Sequence, residues 1–257
     1  MSGTALWVAG VDASGVERVH ERLGHGDDPV RLLARKGYAT GGPSSVVGEA
    51  NPHTVTVVYS VVPNGEGPAG EVPAGEVPAG ELLVGAGPVG DDEPGAVPRD
   101  PGMVLEPGEV PVVLQRVAVY AVVRSERGVL LAQNSARTNA AGTWGLAGGG
   151  LDLGELPEAA LHREIWEETG QRVDITGIAV VTTRHWVGRA PNRRLEDFHA
   201  VRLVYRAECP EPTDPVVHDV DGTTAAAAWF PPDEVDRLPL ATGTREILAH
   251  LSRDGAG

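Results

Sequence analysis

Residues 64–111 set the first limit on what this chain can fold into, because they carry GPAGEVPAGEVPAGEL, a repeated Pro-Ala-Gly-Glu-Val unit followed by more proline, glycine and acid. Each proline removes a backbone hydrogen-bond donor, and each glycine adds conformational entropy that ordering must overcome. Such a stretch favours an extended linker over a packed core, and its five-residue period is too short for a solenoid. A partner-binding motif is the rival reading of the repeat. Packing is therefore expected on either side of it, and the 257 residues divide into a small unit at 1–63, a linker at 64–111 and a larger domain at 112–257.

In the first unit, ALWVAGV reads as a strand and HTVTVVYSVV alternates as a strand should. DPVRLLARKGY reads as a helix capped by Asp28, opened by Pro29 and stopped by Gly37. A small α/β unit is expected. It lies near the lower size limit for independent folding, so it leans on the rest of the chain or on a second copy in a homodimer. GGPSS at 41–45 lacks the lysine and spacing of a P-loop. An accessory or interaction role is the reading that remains.

Beyond the linker, VVLQRVAVYAVV and GVLLAQN read as strands joined by the polar turn RSERG, AVRLVYRAEC and HDVDGTTAAAAWF as later strands, and TREILAHL as a terminal helix. Trp229 is assigned to the core. Between these lies GGGLDLGELPEAALHREIWEETG, 148–170, a helix opened by Pro157 and stopped by Gly170. At about 100° per residue, Glu164, Glu167 and Glu168 fall in one sector, with Leu161 and Ile165 beside it to pack inward. Like charges at this spacing repel by a few tenths of a kcal/mol per pair, so either water or a cation must relieve them. Hard oxygen ligands select Mg²⁺ or Mn²⁺, which can polarise a phosphoryl oxygen or acidify a bound water. A carboxylate left off the metal can take a proton from that water.

Gly149, Glu155 and the run Arg163-Glu164-Ile165-Trp166-Glu167-Glu168-Thr169-Gly170, with five and seven residues between them, resemble the Nudix box of the MutT/Nudix hydrolase family over 149–171. The resemblance covers 112 to the C-terminus. It implies an α/β/α sandwich with a mixed sheet, and cleavage of a nucleoside diphosphate linked to another group. It further implies Mg²⁺ held by Glu164, Glu167 and Glu168, with Glu155 assisting, the Gly148 carbonyl completing the set, Arg163 orienting a carboxylate, and Glu167 or Glu168 near the attacking water. Gln171, Ala147 and Asp152 depart from the usual pattern at uncharged or peripheral positions, which concerns local packing. No Gly-x-Ser-x-Gly elbow and no His-x-x-x-His pair is present, and Cys209 is the only cysteine, so serine hydrolysis and zinc chemistry are poor rivals.

The segment 182–199, TTRHWVGRAPNRRLEDFH, gathers Arg184, Arg189, Arg193 and Arg194 around His185 and Trp186, and Gly188 and Pro191 make it read as a loop. Arginine forks suit phosphate oxygens and an aromatic face suits a base, so Arg184, Trp186, Arg193 and Arg194 are the expected substrate contacts; a solvated loop is the rival. Glu196 and Asp197 are either an acid outside the box or surface charge. The flanking motifs of the coenzyme A, NADH and ADP-ribose subgroups are not seen, which leaves a nucleoside triphosphate, cut to the monophosphate, as the expected substrate. An ADP-sugar or dinucleotide pyrophosphatase and a catalytically silent nucleotide sensor are the alternatives. A net charge of -15 argues against broad contact with a nucleic-acid backbone or an anionic membrane. With no apolar run near the ~20 residues of a membrane span and no basic leader, a cytoplasmic protein acting on a small nucleotide is expected. Residues 112–257 are expected to fold and hydrolyse without 1–111.

Overall fold

A computed structural model describes residues 4–65, 97–99, 103–190, 193–219 and 222–254; the PAGEV repeats lie outside these. Strands β1 (Ala5–Val11), β2 (Glu17–Arg22), β3 (Tyr38–Ala50) and β4 (His53–Pro63) form one sheet in the order β2-β1-β4-β3, with helix α1 (Pro29–Arg35) between β2 and β3. The Asp28 carboxylate accepts from the Arg31 amide at 2.9 Å and Gly37 takes φ +90°, so cap and stop act as their residue types dictate. β1 and β4 are parallel. The sequence reading missed β2 and β3. ERVHER buries only Val19, and β3 contains Gly41, Gly42 and Pro43, which an edge strand tolerates through the register shifts seen on either side of Pro43.

The second sheet comprises β5 (Val112–Ser125), β6 (Gly128–Asn134), β7 (Trp144–Gly145), β8 (Ala147–Gly150), β9 (Asp174–Arg189), β10 (Leu195–Glu208) and β11 (Thr224–Phe230). Its order is β11-β6-β5-β10-β9, with β7 on β6 and β8 on β5; β5 and β10 are parallel and the other pairs antiparallel, so the sheet is mixed. Helix α2 (Pro157–Thr169) packs on one face through Ala160, Leu161 and Ile165, all fully buried against Val119, Ala121 and Val201. On the other face α4 (Thr242–Asp254) and the short α3 (Pro232–Val235) bring Ile247 and Val235 onto Val122, Leu131 and Val204. This is the expected α/β/α sandwich. Gln171 is buried but fully used: its amide nitrogen donates to the Thr169 carbonyl at 3.1 Å and the Thr213 hydroxyl at 2.9 Å, and its oxygen accepts from the Thr213 amide at 3.0 Å.

The segment 182–199 is corrected: it is not a loop. β9 and β10 pair from Asp174↔Glu208 to Arg189↔Leu195, and Arg193, just before β10, takes φ +68°. Arg184, Gly188 and Arg189 are within β9, whose residues from Ala179 to Trp186 are all half-buried, so neither burial nor composition made it stand out as a strand. The end of the Pro/Gly-rich stretch also lies on this strand. The Val187 amide donates to the Pro98 carbonyl at 2.8 Å, and Arg189 grips Glu109 through two bonds of 2.8 and 2.7 Å.

The two sheets share a core. Leu6, Val8, Val55, Val57 and Tyr59 belong to the same buried cluster as Leu161, Val201 and Leu203. Polar contacts cross the seam as well: His53 Nε2 meets the Glu155 carbonyl at 2.9 Å, the Thr183 hydroxyl meets Asp28 at 3.1 Å, and Gln115 donates to the Gly24 carbonyl at 3.2 Å. No described helix is long and apolar enough to cross a membrane.

Candidate active site

Arg163 organises the acidic helix. Its Nε and one terminal nitrogen donate to the two oxygens of Glu155 at 2.8 Å each, a fork-to-carboxylate pair. The other terminal nitrogen bridges Glu164 at 2.9 Å and Glu167 at 3.2 Å, while the one paired with Glu155 also donates to the Gly150 carbonyl at 3.1 Å. These bonds hold the Glu155 carboxyl below its ordinary range and push the Arg163 guanidinium further up. Glu155 is thus a positioning group for Arg163, and Arg163 for the helix carboxylates.

Glu168 is the most buried of the acids, at 7% exposure. The Gly148 amide donates to one of its oxygens at 2.9 Å and the Thr224 hydroxyl to the other at 2.6 Å. Burial outweighs those bonds and, with Glu164 and Asp219 nearby, raises Glu168 to about 7. Burial raises Glu164 as well, against the pull of Arg163. Such a set gains from a divalent cation, which would stabilise the ionised forms that burial opposes.

The glycine strand lets the charged side chains approach the backbone. A Cβ on Gly149 would stand 2.5 Å from the Glu164 carboxyl group, and one on Gly150 would stand 2.3 Å from Arg116. Gly149 lets the Glu164 carboxyl come close to the strand, and the hard oxygens of Glu164, Glu167 and Glu168 fit a Mg²⁺-like ion. Alanine at 149 is accordingly expected to displace Glu164 and cut kcat about a hundredfold with the fold retained. Steady-state kinetics beside a thermal melt check this.

The carboxylates open onto a cleft of about 500 Å³ lined by Arg116, Tyr120, Trp186, Phe198 and Arg202 as well as Gly148, Gly149 and Gly150. The Trp186 and Phe198 rings lie 4.7 Å apart and tilted by 44°, Arg184 lies 5.0 Å over the Trp186 ring, and Arg202 lies 5.8 Å over Tyr120. Trp186 therefore reaches the cleft and Arg184 flanks it. Arg193 and Arg194 do not line it: they sit at the hairpin turn, where Arg194 pairs with Glu196 at 2.5 Å. The cations that do line it, Arg116 and Arg202, were missed. Arg116 is the one charge of VVLQRVAVYAVV, whereas Arg202 shares AVRLVYRAEC with Arg206 and Glu208, so only Arg116 stood out as a charge on an otherwise uncharged strand.

A fold with one acidic helix against a mixed sheet, its carboxylates locked by an arginine beside a glycine strand, defines a hydrolase of pyrophosphate bonds. The chain belongs to the NUDIX domain family, matched over residues 114–251. A MutT-like protein of Streptomyces ambofaciens is 37% identical over 147 residues, which is 56% of this chain and 80% of that protein. Nucleoside triphosphatase NudI of Salmonella newport (strain SL254) is 31% identical over 110 residues, 42% of this chain and 75% of that one. Among solved structures, a MutT protein from Methanosarcina mazei Go1 is similar with a TM-score of 0.45 and 20% identity, covering 56% of this chain and 96% of that one.

Proposed function

We propose that the chain hydrolyses a nucleoside triphosphate to the monophosphate and pyrophosphate, with Mg²⁺ or Mn²⁺ held by Glu164, Glu167 and Glu168 and assisted by Glu155 and the Gly148 carbonyl. The observation that carries the reading is the meeting of this carboxylate set with a cleft whose walls are arginine and aromatic. The names of the relatives, MutT-like protein and nucleoside triphosphatase, agree with it.

When bound, the cation supplies charge neutralisation and acidifies water. The residues do the rest. Arg116 and Arg202 meet phosphate oxygens that the acidic helix alone would repel, and Trp186 with Phe198 offers a face to the base. Glu167 or Glu168 accepts the proton of the attacking water as its oxygen bonds to phosphorus, the P–O–P bridge breaks, and pyrophosphate leaves.

A screen of nucleoside triphosphates, nucleotide sugars and dinucleotides with Mg²⁺, reading pyrophosphate and monophosphate, tests the proposal. Pyrophosphate release from a triphosphate, abolished by chelation, is the expected result; turnover confined to sugars or dinucleotides, or binding without turnover, overturns it. Alanine at Arg116 or Arg202 should raise KM more than it lowers kcat, because phosphate is gripped in ground and transition states alike. Trp186→Ala should weaken binding by about 1–3 kcal/mol. The pair Arg193→Ala and Arg194→Ala should leave KM in place.

A further inference from the structure

His25 lies 172 positions from Asp197, yet the two meet at the seam between the sheets. His25 stands in the turn that leads to α1, while His185 and Asp197 come from the paired strands β9 and β10. Alternation turns Thr183, His185, Asp197 and His199 toward the N-terminal sheet and Trp186, Phe198 and Ala200 toward the nucleotide cleft. His25 Nε2 lies 2.9 Å and His185 Nε2 2.6 Å from the same oxygen, Asp197 Oδ1. One donor atom from each of the three residues falls within 4.8 Å of the others. Nearby, His25 Nδ1 and His199 Nε2 are buried without a hydrogen-bond partner, so the seam is poorly satisfied by the protein's own groups. Gly26, at φ +78°, keeps the backbone close: a Cβ there would stand 2.6 Å from His185 Nδ1.

We infer that His25, His185 and Asp197 form a transition-metal site, of the kind that takes Zn²⁺, separate from the carboxylates of the nucleotide cleft. Two imidazole nitrogens and one carboxylate oxygen select a borderline ion over Mg²⁺, and three protein ligands leave a fourth position for water. Each Nε2 lies within hydrogen-bond distance of Asp197, and an ion between them would take the place of the shared proton. Metal bonds of about 2.0–2.2 Å set tetrahedral donors roughly 3.3 Å apart, so the cluster opens by less than about 1 Å to admit it. His199 is a wall and not a ligand. The Gln115 amide nitrogen donates both to the Gly24 carbonyl at 3.2 Å and to His199 Nδ1 at 3.0 Å, and the His199 ring stands edge-on to His25 at 5.6 Å and His185 at 5.9 Å. The site would tie the turn before α1 to the hairpin whose opposite face carries Trp186. Ligands drawn from segments so far apart explain why no zinc spacing is visible in the sequence.

The test uses the full chain stripped of metal and titrated with Co²⁺. One equivalent should give the strong visible band of tetrahedral Co²⁺, displaced by Zn²⁺, and Zn²⁺ should raise Tm. The band should persist in Glu164→Gln/Glu168→Gln, since oxygen sites of octahedral type absorb weakly. It should vanish in His25→Gln and in Asp197→Asn, with circular dichroism confirming that each is folded. His25 sits on a partly exposed turn, so its variant carries the test if the strand variant does not fold. Absence of the band in the native chain, or its survival in His25→Gln, overturns the site.

Discussion

Glu168→Gln is expected to lower turnover by about 10²- to 10⁴-fold while the protein stays folded. The amide keeps the shape that fills the space between Gly148 and Thr224, but it removes the charge that attracts a cation and the basic oxygen that accepts a proton. Steady-state rates with saturating Mg²⁺ measure the loss; a folded variant hydrolysing at near-native rate would remove Glu168 from the proposed chemistry. A second readout separates charge from shape. Glu168 is raised to about 7 by burial, so without metal the fold favours its neutral form. Because the folded value lies above the unfolded one, the stability is fully present below the unfolded value. It is lost as pH rises through about 7, by up to roughly 3 kcal/mol. The stability of the metal-free native chain should therefore fall between pH 5 and 8 in a way that the glutamine variant does not share, and added Mg²⁺ should flatten the native profile.

Why this site was legible and its surroundings were not follows from how far each signal reaches along the chain. The acidic helix is local: Pro157, Gly170 at φ +68°, and the placing of Leu161 and Ile165 beside the carboxylates are all decided within one element. The cleft is not. Arg116 and Arg202 enter it because two strands far apart in sequence pair in parallel, placing Arg116 opposite Ala200 and Arg202 opposite Ala118. Composition worked against the hairpin at 174–208. Charge and turn formers suggested a loop, although one face turns Trp186 to the cleft and the other turns His185 to the N-terminal sheet. In β3, glycine and proline hid a strand in the same way, since an edge position demands less of propensity than a central one.

Removing residues 1–111 is expected to do more damage than the composition of the chain suggests. The proline- and glycine-rich stretch reads as a boundary between units that fold alone, and residues 112–257 contain the whole acidic helix and cleft. Yet the buried cluster on the α2 face is continuous. Val55, Val57 and Tyr59 pack in the same core as Val201, Leu203 and Leu161, and Gly48 approaches Pro157 so closely that a Cβ there would stand 2.6 Å from its ring. Truncation would strip this cover from β9, β10 and the start of α2. Apolar area then returns to water at about 25 cal/mol per Å². It would also leave Asp197 and His185 without His25, and Glu155 without the His53 contact to its carbonyl. Since whole domains are stable by only about 5–15 kcal/mol, uncovering a few hundred Å² consumes most of the margin. The 112–257 fragment is therefore expected to be largely insoluble or to melt many degrees below the full chain. Residual hydrolysis should be confined to low temperature, where the carboxylate set, which owes no ligand to residues 1–63, can still assemble. Thermal melts and rates of the two proteins side by side decide it. A fragment with native Tm and native kcat would mean that the N-terminal sheet is only appended to a self-sufficient hydrolase.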